Sequence, residues 1–200
     1  MPIIPTSSSL QKSIIPLMLA ITCLALAAAN QHLDSVLAFD RTAIEQGEWW
    51  RIITANFLQL NWKHLALNLA GIIGIWFIFW GEFTKRWELL FLLISVISTT
   101  ALLFFLSPNV KHYVGLSGAL HGIFIAFCIA SIRQHSTLSA IGIIGISIKL
   151  LNEQFLSSNS LIEQFIESSV IIDSHLWGAF GGFIAGGIYL FTSINSSDDH

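Results

Sequence analysis

The feature that most constrains this chain is where its charges are missing. Its 21 Lys, Arg, Asp and Glu residues leave six uncharged stretches: 13–33, 64–81, 89–110, 112–132, 134–148 and 174–197. Five of them reach the ~18 residues at which an apolar segment becomes a candidate to span a bilayer. The fifth in order is shorter, at 15 residues. It is expected to reach Leu151 if Lys149 snorkels its ammonium to the interface. Backbone groups in lipid must hydrogen-bond within their own segment or a closed barrel, and the alternation of a barrel strand is absent, so the stretches are expected to be helices. Spans are predicted near 14–30, 64–80, 89–106, 115–132, 136–151 and 174–192. Composition agrees: 54% hydrophobic, 10% charged and a mean hydropathy of +0.72, where an ordinary soluble domain carries about 25% charged residues. The expectation is an all-α membrane protein, one domain over residues 1–200, with six transmembrane helices. A net charge of −3 with no basic block argues against a nucleic-acid binder. Cys23 and Cys128 sit in apolar runs and form neither a disulfide framework nor a metal-ligand set.

The connections differ in kind. Residues 31–63 form the long early one, with Trp49, Trp50 and Arg51 and then Trp62 and Lys63. Trp beside charge suits an interfacial first loop lying among lipid headgroups. Gly81–Trp87 is a tight basic link, and Ser107-Pro108-Asn109 stops the third helix. Residues 152–173 are polar and acidic, with Glu153, Glu163, Glu167 and Asp173, and Ser196–His200 are a polar tail. The first apolar run, between Lys12 and Ala27-Ala28-Ala29, reads either as a retained first helix or as a cleaved secretory signal. Lys and Arg divide almost evenly between the two sides, so the positive-inside count leaves orientation open.

The few polar groups inside the helices share one level. His64 and Asn68 open the second span, Ser117 and His121 the fourth, and His175 the sixth. These spans run in one direction, so the first turns lie near one membrane face. Ionisable groups inside membrane helices are candidate functional sites. Ser117 stands between Gly115 and Gly118 at a helix start, where backbone N–H groups lack intrahelical partners and are suited to hold an oxyanion. A Ser hydroxyl needs a base to become a nucleophile, and His175 is the candidate from a different helix. Gly118, Gly122 and Ala126 on the fourth span, and Gly178, Gly182 and Gly186 on the sixth, form small-residue ridges. Such ridges let helix backbones approach closely. His64 and Asn68, four apart, share a helix face and could both donate to a developing negative oxygen.

At these residues the sequence resembles the rhomboid intramembrane serine proteases. Gly115-Leu116-Ser117-Gly118 looks like their GxSG motif. His64 and Asn68 match an HxxxN signature, and His175 with Gly178 and Gly182 matches a third. Trp49-Trp50-Arg51 resembles an element of the family's first loop. The resemblance covers roughly residues 40–190 in matching order. It implies a six-helix bundle with both ends in the cytoplasm. It further implies Ser117 as nucleophile, His175 as general base and acid, and an oxyanion hole of His64, Asn68 and the Ser117 N–H. Gly115, Gly118, Gly178 and His121 are expected in support. Gly47–Phe57 and Gly115–Gly122 look like the rhombosortase subgroup. That likeness implies a bacterial inner-membrane enzyme whose site faces the periplasm. Its implied partner is an exported protein with a C-terminal Gly-Gly, hydrophobic, basic tail.

One departure stands out. Where many bacterial rhomboids carry a Tyr that packs on the catalytic His, this chain has His121, on the same face as Ser117. It is expected to stack on or hydrogen-bond to His175, and it remains an alternative base. No Asp or Glu lies inside the predicted spans, and Asp173, two residues from His175, faces elsewhere. The expected machinery is therefore a Ser–His dyad. No cofactor or metal is expected: there is no HExxH string, and no Cys or carboxylate is expected among His64, His121 and His175. Ser95, Ser98, Thr99 and Thr100 on the third span are expected to bond backbone or neighbouring helices. His112 and His135 read as solvated. The alternative functions are a non-proteolytic rhomboid-like binding protein and a small transporter.

Overall fold

The structure is a computed structural model that describes residues 14–29, 33–156 and 161–195. Six apolar helices form its body: α1 (Ile14–Ala28), α5 (Trp62–Ile78), α6 (Lys85–Leu106), α7 (Ser117–Ala130), α8 (Ser136–Phe155) and α10 (Ile172–Asn195). Three of them, α6, α8 and α10, are long and apolar enough to cross a membrane. The other three are apolar over 15, 17 and 14 residues. Among the described residues, short helices lie between them: α2 (Asp34–Leu37), α3 (Arg41–Glu45), α4 (Arg51–Thr54), which runs on into a 3-10 turn over Ala55–Phe57, and α9 (Leu161–Ile166). Two-residue strands β1 (Phe39–Asp40) and β2 (His112–Tyr113) pair antiparallel. Lys12 and the Ser196–His200 tail lie outside the described residues.

α7 is the axis of the bundle. It packs chiefly on α10 and α6, and most of its side chains are buried. Phe127 at its far end meets Trp76, Phe79 and Phe91 edge-on, with centroids 5.5, 5.3 and 5.7 Å apart. Such pairs add to the gain from area burial. Leu19 and Cys23 bring α1 into the same core. By contrast α8 buries only Ser139 among its side chains and exposes Ile141, Ile144 and Ile148. It is a peripheral helix with an apolar outer face.

The first connection is tied down by its two arginines, both buried. Arg41 donates to the carbonyls of Leu103, Phe104 and Ser107 at the C-terminus of α6 and to Val110 O. These include carbonyls that a helix end leaves without partners. Arg51 pairs with Glu48 at 2.6 Å and donates to Ala38 O and Ser35 O. Beneath them Phe39, Ile44, Ala55, Leu103 and Tyr113 form a second small core. Trp49, Trp50 and Trp62 remain exposed.

Two helices extend beyond the spans that the charge gaps predict. α6 begins at Lys85 rather than residue 89 and carries Glu88 inward, where Trp76 Nε1 donates to its carboxylate at 3.3 Å. α8 continues past residue 151 to Phe155. Lys149 pairs with Glu153 one turn on. In both cases a charge is tolerated inside a helix because it has a partner.

Candidate active site

The strand–turn–helix entry to α7 sets Ser117. Gly115 holds φ +136°, a conformation that favours glycine. Its N–H donates to Ala55 O at 3.1 Å, and its carbonyl accepts from the Tyr113 hydroxyl at 2.5 Å. The His64 ring lies against it: a Cβ on Gly115 would stand 2.7 Å from His64 Cε1. Ser117 is the first residue of α7, so its N–H is among those a helix leaves unpaired.

The two glycine ridges interlock as their spacing predicts. A Cβ on Gly178 would strike the Gly118 carbonyl, and one on Gly182 the Gly122 carbonyl. A Cβ on Gly118 would come within 2.7 Å of Ser174 O. α7 and α10 therefore meet backbone to backbone, and the contact begins at the turn that carries Ser117 and His175.

There Ser117 Oγ lies 3.0 Å from His175 Nε2. On the other side of the ring, His175 Nδ1 is 2.9 Å from Glu153 Oε2. An ionised carboxylate only accepts, so the ring proton is on Nδ1 and the Nε2 lone pair accepts from the Ser117 hydroxyl. This geometry corrects the expectation that no carboxylate stands among the site histidines. The sequence pattern places Glu153 in a polar connection, whereas it occupies the last turn of α8. The signal that could have found it is Lys149 and Glu153 at i, i+4, which continues the helical phase. Its other oxygen pairs with Lys149.

His121 stacks on His175 with centroids 4.2 Å apart and planes 17° apart. Its Nδ1–H donates to Ser117 O at 2.7 Å. The ring therefore contacts the base and the carbonyl of the serine, and not the hydroxyl. His64 accepts from Leu60 N–H through Nδ1 at 3.2 Å, which leaves the proton on Nε2. Asn68 donates one amide hydrogen to Gln59 Oε1 at 2.6 Å and keeps a second. Gln59 is a partner that the HxxxN spacing gives no hint of.

His64, Asn68, Ser117, His121 and His175 all line one cavity of about 300 Å³, with Lys149 and otherwise mainly apolar side chains from α5, α7 and α8. A second, smaller cavity of about 210 Å³ reaches Ser117 and His64 from the side of Ser168, Ser169 and Ser174. The site thus has an apolar approach and a more polar one.

His121, Glu153 and His175 each bring a ligand atom within 4.8 Å of the others. A metal lies in the plane of each imidazole that binds it. Near-parallel stacked rings cannot both aim a lone pair at one ion, and His121 Nδ1 is already a donor. The cluster fits proton handling better than metal ligation.

Other predicted residues stand apart. Asp173 accepts from Ser107 Oγ at 2.6 Å, and Trp177 Nε1 donates to the same hydroxyl at 3.0 Å. His112 is exposed, and exposed His135 pairs with Glu82 at 3.1 Å. On α6, Thr99 and Thr100 bond backbone carbonyls and Ser98 donates to Trp177 O. Ser95 instead packs its hydroxyl against Gly122 without a hydrogen bond.

Comparison with known proteins points the same way. Residues 46–192 match the family model described as Rhomboid domain. Rhomboid protease GluP of Bacillus subtilis (strain 168) is 27% identical over 160 residues, which is 78% of this chain and 30% of that protein. The chain thus spans less than a third of that relative's length.

Proposed function

The chain belongs to the rhomboid family, a family of multi-pass intramembrane serine proteases, and from that premise we propose that it is itself an intramembrane serine endopeptidase. One observation carries the reading: the 3.0 Å contact between Ser117 Oγ and His175 Nε2, in a cavity shared with two further donors. Ser117 Oγ attacks the scissile carbonyl as its proton passes to Nε2 of His175. The carbonyl oxygen becomes an oxyanion held by the Ser117 N–H, His64 Nε2–H and the free Asn68 amide hydrogen. The tetrahedral intermediate collapses, the C–N bond breaks, and the Nε2 proton goes to the leaving amine. Water then repeats the sequence on the acyl-enzyme.

All six apolar helices cross the bilayer in this reading, with residues 33–61 at the interface and residues 1–200 as one domain. A transmembrane segment enters the apolar cavity between α5 and α8, while water arrives through the serine-lined one. Small residues at the cut favour the reaction, since Gly lowers the cost of unwinding a helix. The likeness of Gly47–Phe57 and Gly115–Gly122 to rhombosortases supports the finer assignment. It makes the substrate an exported protein with a C-terminal Gly-Gly, hydrophobic, basic tail, cut at the periplasmic side of a bacterial inner membrane. The test is cleavage of a Gly-Gly-tailed membrane substrate by the wild type, Ser117→Ala and His175→Ala. Cleavage by the wild type alone is expected, and full activity in Ser117→Ala would sink the mechanism.

A further inference from the structure

We propose that Glu153 is a positioning residue that turns the Ser117–His175 pair into a three-membered relay, with Lys149 as its counter-ion. The inference rests on the protease reading above.

Glu153 is not a surface carboxylate that happens to reach inward. Its side chain is 14% exposed and that of His175 is 6%. One oxygen takes the His175 Nδ1–H at 2.9 Å and the other takes Lys149. A carboxylate so enclosed needs both partners to offset its lost hydration. The contact is also directional. Only the tautomer with its proton on Nδ1 leaves an Nε2 lone pair for Ser117, and Glu153 selects that tautomer.

Among the described residues, the charged and titratable groups facing His175 are Glu153 and Lys149 from α8, His121 from α7 and His64 from α5. Of these, only Glu153 carries negative charge, so it alone stabilises the imidazolium that forms when Nε2 takes the serine proton. The balance is simple: the proton moves from Oγ to Nε2 and later to the leaving amine, Nδ1 keeps its own proton, and Glu153 takes none. Because α8 is only lightly packed, the relay also makes a fully assembled site depend on where that helix lies.

The experiment uses the full chain in liposomes and compares wild type, Ser117→Ala, Glu153→Gln and Glu153→Asp. It reads two rates: cleavage of a Gly-Gly-tailed transmembrane peptide, and phosphonylation by a fluorophosphonate. The second needs an activated serine but no matched substrate. Glu153→Gln is expected to lower kcat and phosphonylation by roughly 10²- to 10⁴-fold with KM nearly unchanged. Glu153→Asp, which keeps the charge, should recover a large part of both rates. Wild-type rates in folded Glu153→Gln, or a loss confined to KM, would overturn the relay. If wild type and Ser117→Ala are phosphonylated equally, the protease reading fails and the relay with it.

Should Glu153→Gln not fold, the wild type still decides the matter. In protein labelled with ¹⁵N-histidine, the resting proton of His175 is expected on Nδ1, in a hydrogen bond. A proton on Nε2 overturns the proposal.

Discussion

The imidazole of His121 lies almost flat on that of His175, 4.2 Å away, while its Nδ1–H is spent on the Ser117 carbonyl. The ring is therefore a platform for the base and not a rival to it. His121→Tyr keeps an aromatic face in that place and is expected to retain cleavage within about tenfold of wild type. His175→Tyr should abolish it. Measured in parallel on one substrate, activity lost only in His121→Tyr would reverse the two roles.

His64 is poised as a donor by a neighbour. Leu60 N–H occupies Nδ1, so the Nε2 proton is available to the oxyanion. Loss of one such donor costs about 3–4 kcal/mol of transition-state stabilisation. His64→Ala should therefore lower kcat roughly 10²- to 10³-fold. Asn68→Ala should cost less, because one of its amide hydrogens already goes to Gln59. Steady-state kinetics on both variants would test the ranking.

The helix contact makes a stability prediction with its own control. Gly178→Ala drives a Cβ into the Gly118 carbonyl, and backbone cannot swing aside as a side chain does. The cost is expected at or above the top of the usual 1–3 kcal/mol for overpacking, about 3 kcal/mol. Cleavage should fall with it as Ser117 and His175 separate. Gly74→Ala, where a Cβ meets nothing within 4 Å, should be neutral or gain up to about 1 kcal/mol from helix propensity. Thermal unfolding in detergent distinguishes the two.

Arg41 bridges the first connection to the end of α6 through four carbonyls. Arg41→Met removes that donor from all four; Leu103 O and Ser107 O still accept from Ser107 N–H and Val110 N–H, and each buried carbonyl left unpaired costs about 1–3 kcal/mol. Arg41→Lys should recover little, since a single ammonium cannot reproduce a planar fork. Equal melting temperatures for wild type and Arg41→Lys would contradict this account.

Asp40 offers a titration outside the helices of the bundle. Its carboxylate accepts from Ala43 N–H at the start of α3 and lies near His112. The backbone hydrogen bond, offset in part by burial and aided by His112 and Arg51, holds its pKa below the usual value. A group depressed on folding stabilises the fold above its unfolded pKa, about 3.9. That contribution is lost as pH falls through the folded value. Asp40→Asn keeps a capping oxygen and removes the titration, so its melting temperature should fall less steeply than wild type below about pH 4.

Much of this protein was legible in its sequence because a bilayer simplifies the reading. Charge is costly in lipid, so the gaps between charges locate the apolar helices. Glycines at four-residue spacing mark where two of them touch, and Ser117, His175, His64 and Asn68 could be grouped because parallel helices bring their first turns to one level. That rule fails where a charge has a partner. Glu88 lies inside because Trp76 donates to it, and Glu153 because Lys149 and His175 do. Partners such as Gln59 for Asn68, or the α6 carbonyls for Arg41, are distant in sequence and follow no periodicity. Local spacing thus determined which residues share a helix face and a depth. Only the tertiary structure decided which polar groups satisfy one another, because an unpaired buried charge or donor is expensive and its partner is supplied by whichever helix packs beside it.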